Sequence, residues 1–130
     1  MVYILKSDKY SYVGMTNNFL RRYRQHNKLL MGGAKYTSKR DYWYPICIID
    51  GFANMKEAMQ CEWAVKHMKK INGNDGPKRR ILNLNILLTK DKWTSKSPRI
   101  DSQKLIIYID EQYKYDLVSK NINIRELYWR

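Results

Sequence analysis

Two short apolar runs open the chain and are separated by the polar residues 6–9. The runs Val2-Tyr3-Ile4-Leu5 and Tyr10-Ser11-Tyr12-Val13 consist mostly of β-branched and aromatic residues, which favour strands. Two such runs joined by a short polar connection predict an antiparallel hairpin. Tyr3 and Tyr12 would then lie on neighbouring strands.

A helix is predicted directly after the hairpin. Residues 16–18, Thr-Asn-Asn, form an N-cap signal. The apolar stripe that follows comprises Phe19, Leu20, Tyr23 and Leu30, and the helix would close at Gly32-Gly33. Arg22 and His26 are four residues apart and therefore share one face of this helix.

A third strand and a second helix follow a basic loop. The strand would cover residues 42–49, and Pro45 indicates either its beginning or an edge position. Asn54 and Glu57 have the spacing of a capping box and open a helix that is expected to reach about Ile71. Its inward face is predicted to comprise Met55, Ala58, Met59, Cys61, Val65 and Met68.

The rest of the chain is less regular. Residues 81–88 alternate as in a strand, yet Ile81, Leu84 and Leu88 also fit a helical face, and periodicity alone leaves both readings open. After a polar linker, residues 105–109 predict a short strand, and the remainder predicts a helical or irregular packing element. We therefore expect one domain over residues 1–90 and a linker with a packing appendage over residues 91–130.

Charge indicates the class of binding partner. The 130 residues include 25 Lys and Arg against 12 Asp and Glu, a formal net charge of +13. The first hundred residues hold 20 basic and 7 acidic side chains, and the last thirty hold 5 of each. Such an excess is typical of a polyanion binder, and we expect nucleic acid before a membrane surface. Separately, no apolar run is long enough to span a membrane.

Cysteine usage excludes two classes of small protein. Only Cys47 and Cys61 are present, too few for a disulfide framework or a cysteine-based zinc finger. We expect packed thiols, a reducing intracellular compartment and no bound zinc.

One ordered set of residues resembles the GIY-YIG endonuclease superfamily. Met1-Val2-Tyr3 stands at the first signature and Tyr12-Val13-Gly14 at the second, followed by Arg22, His26 and, after the third strand, Glu62. Each motif is short, but their order and spacing together are specific. The resemblance covers about residues 1–90 and implies a nuclease fold.

Within that superfamily, residues 21–27, 33–38 and 51–64 are similar to the catalytic subunit of the structure-specific nuclease that cuts branched DNA. The chain departs from this pattern at Met1, which replaces the glycine of the first signature. No cysteine-rich RING finger follows in this sequence, so we expect cleavage without zinc and without an obligatory scaffold. A homodimer and an unidentified scaffold protein both remain open as partners.

The resemblance implies a role for each member of the set. Glu62 would hold one Mg²⁺ or Mn²⁺, and Arg22 would clamp the scissile phosphate. Tyr3 would act as general base or position the attacking water, and Tyr12 would orient water or phosphate; which of them takes the proton stays open. A free phenol has a pKa near 10, so the site is expected to lower it, with His26 or the metal supplying the positive charge; His26 could instead hydrogen-bond as a neutral imidazole.

Several polar side chains are candidates for contacts with the DNA backbone. They are Arg21, Arg24, Lys35, Thr37, Lys39, Arg40, Lys66, Lys69 and Lys70. Lys78, Arg79 and Arg80 form a basic surface that is either simply solvated or in contact with flanking DNA. Asn83 or Asn85 could correspond to an asparagine near the metal.

Other positions have competing interpretations. Glu62 is either an inward carboxylate that requires a cation or a residue at the edge of the apolar stripe, paired with Lys66 or Lys69. Trp43 and Trp63 are expected in the core, whereas Tyr36 and Trp93 are expected to be available for base stacking.

The combined prediction is an α/β fold: a small GIY-YIG-like sheet of about three strands flanked by helices, with a short C-terminal strand appendage. The predicted activity is metal-dependent cleavage of branched DNA, such as flaps and four-way junctions, at nuclear or cytoplasmic viral sites of DNA. A catalytically silent DNA-binding module and a sequence-tolerant homing-type nuclease are the alternatives.

Overall fold

The structure is a computed structural model that describes residues 1–26, 42–68, 75–119 and 122–127, including their side chains except those of residues 25 and 26. Within these residues, five strands form one sheet in the order β2-β1-β3-β4-β5. The strands are β1 Val2–Ser7, β2 Tyr10–Met15, β3 Tyr44–Asp50, β4 Ile106–Ile109 and β5 Asn123–Glu126. The helices are α1 Phe19–His26, α2 Met55–Lys66 and α3 Gly76–Leu87. The predicted α/β class is confirmed.

The hairpin of β1 and β2 is confirmed and has no bulge between its strands. Tyr3 lies opposite Gly14 and Leu5 lies opposite Tyr12. Asp8 in the turn has a φ of 53°, a left-handed conformation that Asp tolerates better than most residues. Because side chains alternate between the faces of a sheet, Tyr3 and Tyr12 point to the same face.

The two faces of the sheet are covered by different helices. On one face, α2 and α3 bury residues of β1 and β3 such as Val2, Ile4 and Ile49. On the other face, Tyr3 and Leu5 pack with Phe19 of α1 and with Trp43. This second, aromatic face carries both signature tyrosines. Leu20, predicted to lie in the apolar stripe of α1, is instead exposed.

The second helix begins where the sequence predicts. The Glu57 backbone N–H donates to Asn54 Oδ1 at 2.9 Å, so the N-cap is confirmed. The helix ends at Lys66, earlier than the predicted Ile71. The prediction that Met55 and Met59 turn inward is wrong, because both are exposed. The buried positions are Ala58, Cys61, Ala64 and Val65, whose small or compact side chains allow the helix backbone to approach the sheet.

The ambiguous stretch 81–88 belongs to a helix. The Lys78 backbone N–H donates to Asp75 Oδ1 at 3.0 Å, and Pro77 occupies the first turn, where a missing N–H has no cost. Ile81, Leu84 and Leu87 are buried. These buried residues are three apart, as on one face of a helix, and the strand interpretation of this stretch is wrong.

The C-terminal strand is not a separate appendage. Strand β4 pairs antiparallel with β3, and β5 pairs parallel with β4, so the sheet has five strands instead of about three. Ile107, Ile109 and Leu117 join the same core as α2 and α3. The apolar alternation of residues 105–109 supplies a buried face, which explains why this strand adds to the sheet. A domain boundary near residue 90 stays a prediction.

No helix in the described part of the chain combines the length and the apolar character needed to cross a membrane.

Candidate active site

Tyr3 and Tyr12 form the centre of the aromatic face. Their ring centroids are 6.4 Å apart with an interplanar angle of 37°. Phe19 meets Tyr3 edge-on at 5.2 Å, and Trp43 meets Tyr12 edge-on at 6.5 Å. The side chain of Tyr3 is 1% exposed, whereas Tyr12 is half-buried. The rings of Phe19 and Trp43 therefore pack against the two signature tyrosines, and Tyr12 lies closer to solvent than Tyr3.

Gly14 makes room for Tyr3. A Cβ atom at position 14 would lie 2.5 Å from the Tyr3 hydroxyl oxygen and 2.6 Å from Cζ. These distances are well below van der Waals contact, so the second signature needs glycine for space. The sequence contained this signal only as a motif, because the contact depends on the strand register.

Arg22 links both tyrosines. Its guanidinium donates hydrogen bonds to the hydroxyl oxygens of Tyr3 and Tyr12. Burial alone would lower the pKa of Arg22, but these hydrogen bonds outweigh it and the pKa is raised. Helix α1 is held by its N-cap, where Asn18 Oδ1 accepts the Arg21 N–H at 3.2 Å. The result is a fixed, permanently charged group between two phenols.

The pKa of Tyr3 differs from the expectation. Burial raises the pKa of Tyr3 well above its ordinary value; the hydrogen bond from Arg22 opposes the rise, and the charges of Tyr12 and Glu62 add to it. The prediction that the site lowers this pKa is therefore wrong for Tyr3, because burial outweighs the hydrogen bond and the charge of Arg22. At neutral pH, Tyr3 is a neutral phenol that can donate a hydrogen bond.

Glu62 lies at the edge of the buried stripe of α2. Its side chain is 22% exposed, and its Oε1 lies 3.5 Å from Lys66 Nζ. The reading in which Glu62 pairs with Lys66 is confirmed, and the reading in which it is an unpaired buried carboxylate is wrong. The helical period explains why Glu62 is only partly buried. Viewed down the axis of α2, residue 62 lies between the buried Cys61 and the exposed Met59. Glu62 still contributes to the electrostatic environment of Tyr3.

The donor set at Glu62 suits a hydrated hard cation. Mg²⁺ keeps several waters and takes one or two carboxylates, and Glu62 offers one carboxylate that solvent can reach. Among the described residues, no group of three or more His, Cys, Asp or Glu side chains could hold a metal. A single-carboxylate site is consistent with that finding, with the ammonium of Lys66 as a competitor for the same oxygens.

The candidate DNA-contact residues are only partly visible. Arg21 and Arg24 are exposed on α1 on either side of Arg22, and Lys66 is exposed at the end of α2. The other predicted positions lie outside the described residues: Lys35, Tyr36, Thr37, Lys39, Arg40, Lys69, Lys70 and the side chain of His26.

The tryptophans correct two expectations. Trp43 is buried beside the tyrosines, as predicted. Trp63 is 56% exposed and stacks on His67 with ring centroids 4.4 Å apart, so its predicted core position is wrong. Trp93 is buried and is not available for base stacking. The two differ from expectation because Trp63 occupies the outer face of α2, and the loop of Trp93 folds onto the core.

The cysteines and asparagines are assigned by their surroundings. Cys47 and Cys61 are buried free thiols, as predicted, and burial raises the pKa of Cys47 to about 12. Asn85 Oδ1 accepts the Val118 N–H at 2.8 Å, a contact that holds the C-terminal segment. Asn83 is buried on α3.

The fold and the paired tyrosines define a class of catalytic domain. The family model described as the GIY-YIG catalytic domain matches residues 1–74. The chain belongs to the GIY-YIG family, a family of nucleases, and the resemblance predicted from the motifs is confirmed.

Curated relatives specify the similarity further. A protein of Giardia intestinalis named "Structure-specific endonuclease subunit SLX1 homolog" is 41% identical over 58 residues, which cover 45% of this chain and 16% of that protein. A Drosophila mojavensis protein of the same name is 52% identical over 54 residues, covering 41% and 18%. In Botryotinia fuckeliana, "Structure-specific endonuclease subunit slx1" is 36% identical over 102 residues, covering 60% and 24%. The chain spans about a fifth of the length of these relatives.

Proposed function

We propose that this protein is a divalent-metal-dependent endonuclease that cleaves phosphodiester bonds in branched DNA. The observation that carries the proposal is the position of Arg22, which hydrogen-bonds both signature tyrosines in a chain that belongs to a nuclease family. The names of the relatives, structure-specific endonuclease subunits, support branched structure as the basis of selection.

The residues of the chain divide the work of hydrolysis. Arg22 binds the scissile phosphate and stabilises the charge that grows on it in the transition state. Tyr3, held neutral by burial, donates a hydrogen bond that orients the phosphate or the attacking water. Tyr12 is half-buried and is the phenol that solvent can reach, so after losing its own proton to solvent it is better placed than Tyr3 to accept, as phenolate, the proton of the attacking water. His26 is also proposed as a member of the site, on the basis of the family resemblance.

Glu62 would hold one Mg²⁺ or Mn²⁺. When bound, such an ion supplies Lewis-acid stabilisation of the phosphate oxygens. Because the ammonium of Lys66 and the metal ion compete for the Glu62 carboxylate, metal binding would break this ion pair. Lys66 would then be available to contact the DNA. The pairing of Glu62 with Lys66 also suits a catalytically silent binding module, which makes metal-dependent cutting the decisive measurement.

Selection by shape requires contacts to the backbone and not to base edges. Arg21 and Arg24 on the exposed side of α1 would place positive charge on either side of the phosphate at Arg22. The proposed contacts from residues 35–40, 69 and 70 would extend the same surface. Since the relatives are named subunits, we also propose a protein partner, either a second copy or a scaffold, and action where DNA is kept, in a nucleus or at a viral replication site.

Cleavage assays test the proposal directly. The purified chain is incubated with labelled linear duplex, flap and four-way-junction DNA of unrelated sequences, with Mg²⁺, Mn²⁺ or a chelator. We expect cutting of the branched substrates near the branch, only with the metal, and unchanged by a zinc-selective chelator.

Three results would count against the proposal. Binding without cutting under every metal condition, also with added candidate partners, would favour the silent module. Equal cutting of linear DNA at fixed sequences would favour a homing-type nuclease. Loss of cutting together with removal of about one zinc per chain would contradict the zinc-free expectation.

A further inference from the structure

A basic cavity shares Lys66, the ion-pair partner of Glu62, with the candidate active site. It has a volume of about 240 Å³ and lies between the β1–β2 turn, the end of α2 and the start of α3. Four cationic side chains line it: Lys9, Lys66, Arg79 and Arg80. The described residues that line it include no carboxylate. The cavity therefore has a strongly positive potential and suits an anion.

Backbone contacts fix the walls of this cavity. The Gly76 N–H donates to the Lys9 carbonyl oxygen at 3.0 Å, and a Cβ at position 76 would lie 2.7 Å from that oxygen. The start of α3 is thereby held against the hairpin turn, which brings Lys9 and Arg79 to one cavity. Glycine at position 76 permits this close approach.

Arg80 ties the remaining wall together. Its Nε donates to Ser11 Oγ at 3.3 Å, and its Nη1 donates to the Val65 carbonyl oxygen at 3.1 Å. One guanidinium thus connects β2, α2 and α3. Arg80 has a structural role in forming the cavity, which leaves Lys9 and Arg79 as the cationic side chains to vary.

Asn83 adds a buried polar group to the lining. Its side chain is 5% exposed, and its Oδ1 has no hydrogen-bond partner in the described part of the protein. A buried polar atom without a partner costs free energy and calls for an unseen water or ligand. Because Oδ1 only accepts hydrogen bonds, it calls for a donor such as a water, and that water can donate its second hydrogen to a phosphate oxygen.

Lys66 links the cavity to Glu62. The side chain lines the cavity, and its Nζ lies 3.5 Å from Glu62 Oε1. The cavity is also lined by Tyr10 and Ser11, which lie on the strand that carries Tyr12. A DNA strand bound at Glu62 could therefore reach this cavity through Lys66, along the edge of the sheet formed by β2.

We propose that the cavity is a second phosphate subsite, which binds a backbone phosphate of the same DNA, next to the phosphate that is cut. This inference rests on the proposed function, since it assumes a DNA substrate. Four cationic side chains around one cavity match the charge of a phosphate, and phosphate contacts position a strand without reading its bases. The subsite would supply affinity and set the register of the strand without reading sequence.

Binding measurements with matched variants test the subsite. Lys9→Gln, Arg79→Gln and the double variant are compared with Lys78→Gln, which removes the neighbouring charge on α3 that faces Asp116 at 3.9 Å. Affinity for labelled flap and duplex DNA is measured by fluorescence anisotropy with a chelator, from low to high salt. We expect each cavity variant to lower the slope of log K against log salt by about one, and the control to change it less.

Asn83→Asp provides a second test that does not remove a cation. The carboxylate would offset one of the four positive charges of the cavity, so we expect lower DNA affinity and a thermal unfolding temperature at least as high as that of the wild type. A merely structural role for Asn83 would lower the unfolding temperature and leave affinity unchanged. Inorganic phosphate is included as a competitor to distinguish a free anion from a DNA phosphate.

The outcomes separate the subsite from the proposed function. If the wild type binds and cuts DNA while the double variant and Asn83→Asp keep its affinity and salt slope, the subsite is wrong and the function stands. If the variants lose only phosphate binding, the cavity takes a free anion and the subsite is wrong as well. If the wild type neither binds nor cuts DNA, both proposals fail.

Discussion

Gly14 and Tyr3 lie opposite each other in the hairpin, and the Tyr3 hydroxyl occupies the space where a Cβ of residue 14 would stand, 2.5 Å away. The second signature therefore holds the phenol of the first in place. Because the hydroxyl also accepts a hydrogen bond from Arg22, its position is fixed from two sides. This oxygen couples the hairpin to α1, together with the Tyr12 hydroxyl and the contact of Phe19 with Tyr3.

Replacing Gly14 with alanine should displace Tyr3. We expect a loss of about 1–3 kcal/mol in the free energy of unfolding, as is usual for overpacking. We also expect a fall of about 10²-fold in the cleavage rate, because a displacement of about 1 Å can cost that much. Urea unfolding and single-turnover cleavage of a flap measure the two effects.

A double-mutant cycle controls for other effects of the added methyl group. In a Tyr3→Val background, the space above residue 14 is free, so Gly14→Ala should then cost much less stability. An equal loss of stability in both backgrounds would contradict the steric explanation.

Arg22→Lys should lower the cleavage rate although it keeps the positive charge. Lysine keeps the charge but lacks the planar fork that reaches two oxygens at once. We expect the single-turnover rate to fall about 10²- to 10³-fold, the usual effect of losing a transition-state donor. Arg21→Gln, the exposed neighbour, should instead weaken DNA affinity and leave the rate at saturating protein close to normal. Similar rates for Arg22→Lys and the wild type would contradict the role of two-point contact.

Glu62→Gln should abolish metal-dependent cutting. We expect a fall of about 10³-fold or more, because the charge of a bound metal ion contributes several kcal/mol to the transition state. Affinity for branched DNA should stay equal or rise, since Lys66 loses its acidic partner. Glu57→Gln on the same helix is the control and should cut normally. Near-normal cutting by Glu62→Gln would reject the metal assignment.

The raised pKa of Tyr3 predicts a loss of stability in alkali. Burial keeps the folded phenol protonated above the ordinary pKa of about 10, whereas the unfolded chain releases the proton there. The contribution of Tyr3 to stability is therefore complete below pH 10 and lost as the pH rises further. The free energy of unfolding should fall with a slope that approaches about 1.4 kcal/mol per pH unit.

Tyr3→Phe isolates this contribution, since Tyr113, Cys47 and Cys61 also have raised pKa values. The difference in the free energy of unfolding between wild type and Tyr3→Phe should be constant below pH 10 and shrink above it. A constant difference up to pH 11.5 would show that Tyr3 ionises normally in the folded protein.

Local signals in the sequence predicted the hairpin, the capped start of α2 and the fold class. These features depend on near neighbours, such as Asn54 and the N–H of Glu57. The family resemblance followed from the order of the motifs. The register that places Gly14 against Tyr3 has no local signal, because it depends on how two strands align.

The predictions that were wrong concern which side chains of a helix face the core and which distant segments pair with each other. Met55, Met59 and Trp63 are apolar, yet small residues on α2 allow a closer approach to the sheet and leave these three exposed. Strand β5 has little apolar alternation, and its strand form depends on pairing with β4. Whether a phenol becomes more acidic depends on the balance between its burial and its neighbours, which only the folded arrangement determines.

The family signature and the five-stranded sheet cover different lengths of the chain. The family match ends at residue 74, but β3 lies between β1 and β4, and Lys6 Nζ donates to Tyr113 Oη at 3.0 Å. A fragment cut at residue 74 would lack β4 and α3, so it would expose an unpaired edge of β3 and the core positions that α3 covers, and unpaired edges promote aggregation. The signature hairpin thus belongs to a sheet that extends to residue 126, and a fragment meant to preserve its surroundings should include β4 and β5.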